Sequence, residues 1–161
     1  MPVAQDIVAT YRGPRRVVAR LLAMGPREDR ALALLMGGCA LVFVAQWPRL
    51  AREAHLAQEA LNPRLAGALL GWIVIAPLMF YLLAFISQLF ARVIGGRVTG
   101  FGARIVLFWA FLAAAPVLLL HGLVAGFIGP GAGMTVIGAI WCGVFLWFWL
   151  SGLREAGWSR R

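Results

Sequence analysis

Residues 103–127 read ARIVLFWAFLAAAPVLLLHGLVAGF, and this run decides the fold. Its 25 residues carry a single charge, Arg104, beside the start. About 20 apolar residues cross the hydrocarbon core of a bilayer, so the run predicts a membrane-spanning helix. Pro116 lies near its middle and His121 in its second half. A glycine-rich basic loop, Val93 to Gly102, leads into it.

Working outward, three further apolar runs appear: Ala31–Trp47, Leu65–Ala91 and Met134–Leu153. The chain is 62% hydrophobic over 161 residues, with mean hydropathy +0.85, against about 45–50% apolar in a soluble domain. Lipid admits only helices or closed barrels, and the runs are continuous rather than alternating. The expected class is therefore an all-α integral membrane protein, a four-span helical bundle with an N-terminal amphipathic surface helix. The division is 1–25 as a cytoplasmic membrane-surface segment, 26–154 as the transmembrane domain and 155–161 as a basic tail.

In the first segment Ile7, Val8, Tyr11, Val17, Val18, Leu21 and Leu22 recur at helical spacing, with Arg12, Arg15, Arg16 and Arg20 on the other faces. Gly13-Pro14 breaks it. This pattern predicts two short helices lying on the membrane, apolar side down, with the four arginines among lipid phosphates. Pro48 to Pro63 is polar and reads as a separate short interfacial helix.

Net charge is +9, and every basic residue is arginine. The arginines flank apolar runs, so anionic membrane lipids are the expected partner, and no nucleic-acid motif is present. Twelve arginines fall on the side of the N-terminal segment, the glycine loop and the C-terminal tail; only Arg49, Arg52 and Arg64 fall on the other. The positive-inside rule puts both termini in the cytoplasm of a multi-pass inner-membrane protein.

Chemistry has little to stand on in this sequence. All six acidic residues lie outside the spans, and no HExxH, GxSxG or Walker-type loop occurs. Cys39 and Cys142 sit in apolar runs without ligand spacing and read as small hydrophobes. No catalytic residue, metal, cofactor or small-molecule substrate is expected. His121 is the one ionisable group well inside a span, with Gln46 as its expected neighbour in the outer half of the bilayer. Pro77 and Pro116 should kink their helices and free carbonyls one turn earlier. Gly67/Gly71 and Gly122/Gly126 form GxxxG pairs, which let helices approach closely, and Ala113 to Ala115 make the third span thin enough to be the central helix.

Within Leu89–Pro116, Gly95-Gly96-Arg97 is followed by Thr99-Gly100-Phe101 and an apolar helix that reaches Ala114-Ala115-Pro116. This resembles the Yip1 domain, most closely its short bacterial members, over roughly residues 31–153. The family commonly has five spans where this chain shows four, and often a serine where Ala115 stands. The resemblance implies a helical membrane fold and a non-enzymatic role as an interaction or scaffold protein, with other membrane proteins or a second copy as partners. The other reading is a small transporter or lipid-handling protein with a cavity near His121.

Overall fold

A computed structural model describes residues 3–159. Helices follow one another along the chain: α1 (Val3–Arg12), α2 (Pro14–Ala23), α3 (Glu28–Ala57), α4 (Leu61–Leu70), α5 (Ala76–Val93), α6 (Gly100–Phe127) and α7 (Ala132–Trp158). No strand occurs among the described residues. Four helical stretches are long and apolar enough to cross a membrane: α3, the continuous run Leu61–Val93, α6 and α7.

The run that opens the sequence argument is the centre of the bundle. Every residue from Ile105 to Ala115 is buried, and α6 packs on α3, α5 and α7. Two-thirds of its most apolar window is buried, against 11% for Leu61–Val93 and 17% for α7. The physical cause is the side-chain pattern of α6: its first half alternates large residues (Phe108, Trp109, Phe111) with small ones that let neighbours close in. Phe80 packs at a tilt against Phe111 and Trp72 stacks on it, at centroid distances of 4.3 and 6.4 Å.

The prolines act differently from one another. Pro77 follows a π-helical turn, Gly71–Ile75, which joins α4 to α5. The proline ring cannot donate to the carbonyl of Ile73 and crowds it, and the wider π turn makes room. Pro48 does not end the first span. The expected separate helix 48–63 is absent, because α3 runs on through Pro48 to Ala57 and stops at Gln58, whose φ is +55°. Pro48 loses one ladder bond but is held against Gly126 of α6, and Arg52 beyond it donates to the carbonyls of Gly126 and Phe127 at 3.3 and 3.4 Å. Those are the unpaired carbonyls that end α6, where a cation is favoured.

The glycine loop is a packed joint. Gly95 takes φ +82°, and the amide of Gly96 donates to Ala91 O at 2.8 Å, closing the end of α5. A side chain on Gly96 would strike the Trp158 ring. The Arg97 amide donates to Gly157 O at 3.1 Å, and Thr99 Oγ1 caps α6 by accepting from the Gly102 amide at 3.0 Å. At this same end of the bundle Arg104 forks onto Glu28, tying the start of α6 to the start of α3.

The N-terminal segment does form two helices broken at Gly13-Pro14, but its apolar side has a protein partner. Val17, Val18 and Leu21 are each 2% exposed or less and join the main core with Ile105, Val106 and Phe148. α1 and α2 fold into a hairpin that packs on α6 and α7.

Candidate functional site

Two places gather the polar and charged residues, and they differ in what they can do.

The hairpin carries the four arginines. Its base is closed by an ion pair, Arg20 to the buried Asp6 at 2.8 Å. At its tip, Thr10 donates to Asp6 O at 2.7 Å and accepts from the Trp109 indole at 3.1 Å, fully buried. The Tyr11 hydroxyl donates to Ala113 O at 3.0 Å, in the turn of α6 that precedes Pro116, and its ring meets Phe148 edge-on at 5.0 Å. Partial burial pushes the Tyr11 phenol above its usual value of 10, so it stays a donor through neutral pH. Arg104 and Ala113 are separated by about 13 Å of helix at 1.5 Å per residue, so the hairpin wedges well into the bundle from the Arg104 end. Arg12, Arg15 and Arg16 remain exposed along it. Arg15 lies 3.9 Å from Glu155 of α7. The sequence pattern found the arginines but not the anchoring roles of Thr10 and Tyr11, whose partners Trp109 and Ala113 sit about a hundred residues away.

The second place is the His121 pocket. His121 and Gln46 do line one cavity, of about 50 Å³, walled by Val42, Ala45, Leu118 and Gly122. Arg49 joins them, a residue that the sequence reading assigned to the interface. Its Nη2 donates to Gln46 Oε1 at 2.7 Å, so Gln46 is engaged by arginine rather than by the imidazole. The Nε2 edge of His121 faces Gly138 of α7. The signal for Arg49 was its spacing, three residues after Gln46 on a helix that continues through Pro48.

The glycine pairs separate cleanly. Gly122 and Gly126 stand at the closest crossing of α3 and α6, where an added Cβ would overlap the Ala45 carbonyl and Pro48. Gly67 and Gly71 have open space where a Cβ would go. Pro77 is buried, and Pro116 sits inside α6 without ending it.

Among the described residues, no three His, Cys, Asp or Glu side chains gather as metal ligands, and Cys39 and Cys142 are both free. Comparison with protein-family models, with curated protein sequences and with solved structures finds no match.

Proposed function

We propose that the chain is a non-enzymatic, Yip1-like protein of the inner membrane, with both termini cytoplasmic, whose work is interaction with its membrane surroundings. The observation that carries this reading is where the free space lies. The bundle interior is filled by α6 and its neighbours. The pocket beside His121 measures about 50 Å³, room for a few water molecules and too little for a transported solute. The broad surfaces are all outward. Leu78, Phe85 and Phe90 on α5 are 64%, 63% and 66% exposed, on a span that buries almost nothing within the chain. Such a face suits lipid chains, a second copy or another membrane protein. The glycine loop that carries the Yip1 resemblance has a structural task here, since Gly95 and Gly96 let the end of α5 turn beneath Trp158.

The test is site-specific photo-crosslinking in native membranes, with the photoreactive residue placed at Leu78 or Phe85. A discrete protein adduct is the expected result. Adducts with lipid alone at both positions would sink the interaction reading.

A further inference from the structure

We infer that a groove between α5 and α7 holds one anionic phospholipid, its phosphate on Arg15 and Arg154 and an acyl chain between the helices. The inference rests on the membrane role proposed above and gives its lipid contact a defined site. The groove measures about 720 Å³, within the 300–1,000 Å³ typical of small-ligand sites. Its walls are apolar, with Leu83, Ile86 and Phe90 from α5 and Leu150 and Leu153 from α7. It lies at the end of the bundle where Trp158 covers Gly96 of the glycine loop.

Two cations sit on this largely apolar surface, and they come from different elements. Arg154 belongs to α7 and has no carboxylate partner in an ion pair among the described residues. Arg15 is delivered by the hairpin; its side chain is 62% exposed and its one paired acid among the described residues is Glu155 at 3.9 Å. Two arginines and one glutamate leave a net charge of +1, which one phosphodiester neutralises. A long apolar trough with a cationic pair matches an amphiphile with one negative head. A zwitterionic lipid brings the same phosphate but adds a cation, which the site's net positive charge disfavours. A second copy of the chain would need to fill the trough while neutralising both arginines, and the exposed faces of α4 and α5 are apolar.

The experiment is native mass spectrometry of the full chain in detergent, titrated separately with phosphatidylglycerol, phosphatidylcholine and glycerophosphate. One equivalent of phosphatidylglycerol should be retained in preference to the other two. Arg15→Gln or Arg154→Gln should each weaken retention about fivefold, and the double variant about thirtyfold, at the scale of one basic residue near an anionic headgroup. Ile86→Trp, which fills the trough and leaves the charge unchanged, should also abolish retention. Arg27→Gln, which removes an exposed arginine outside the groove, should retain the lipid as the parent does. Equal retention of phosphatidylcholine, equal binding of glycerophosphate, or parent-like retention by the double variant and by Ile86→Trp would overturn the site. A protein that fails these tests yet still crosslinks to a membrane partner through α5 would lose the groove and keep the proposed interaction role.

Discussion

Single residues decide how close α3 and α6 come. Two GxxxG pairs are identical as sequence patterns, yet only at Gly122/Gly126 would a Cβ strike another helix. An alanine at 122 must push the Ala45 carbonyl away, and overpacking of this kind costs about 1–3 kcal/mol. At Gly67 there is nothing to strike, and alanine gains about 0.5–1 kcal/mol of helix propensity. Gly122→Ala should therefore lower the melting temperature in detergent while Gly67→Ala leaves it unchanged or raises it. Equal effects at both positions would mean that the α3–α6 crossing is not the tight contact described. The pattern itself cannot tell the two pairs apart, because a helix shows a small-residue face whether or not a partner sits on it. His121, Gln46 and Arg49 make the same point for polar residues. The first two were legible as intramembrane polar groups, but the bond goes from Arg49 to Gln46 because α3 stays helical past Pro48 and keeps them one turn apart.

At the scale of elements, the hairpin changes most between sequence and structure. Amphipathic spacing correctly gives two helices and a break, since the apolar positions and Gly13-Pro14 are local facts. It leaves open what covers the apolar face, because lipid and a protein core reward the same residues. Here the cover is α6 and α7, and the polar anchors Thr10 and Tyr11 are satisfied by Trp109 and Ala113. Leu21→Ala should cost about 2–4 kcal/mol, as for a large-to-small change in a core, and Tyr11→Phe about 1 kcal/mol for one hydrogen bond. Thermal unfolding of the full chain measures both. Stability unchanged in Leu21→Ala would mean that the hairpin lies apart from the bundle. The π turn before Pro77 is the smaller lesson. A kink was legible from the proline, but its form depends on how Trp72 and Ile73 pack on the core beside it.

For the whole molecule, arginine placement sets the expected orientation. Arg104 and Glu28 mark one end of the bundle; Arg52, capping α6, marks the other. Val98 in the glycine loop is buried, so a reporter belongs at its exposed neighbour Arg97. With Cys142 replaced by alanine, Ala57→Cys and Arg97→Cys should label from opposite sides of the membrane, Arg97→Cys from the cytoplasm. Labelling of both from one side would reject the topology. The sequence alone determined the helical membrane class, the four spans and the centrality of the third, because these follow from run length, continuity and side-chain size along the chain. Only the tertiary structure decided that α1 and α2 join the core, that Pro48 lies inside a helix, which GxxxG pair is a contact, and that Arg15 and Arg154 share a groove. Each of those depends on which surfaces meet, and an apolar face in a membrane protein gains nearly as much from lipid as from another helix, so its partner is not written in its own residues.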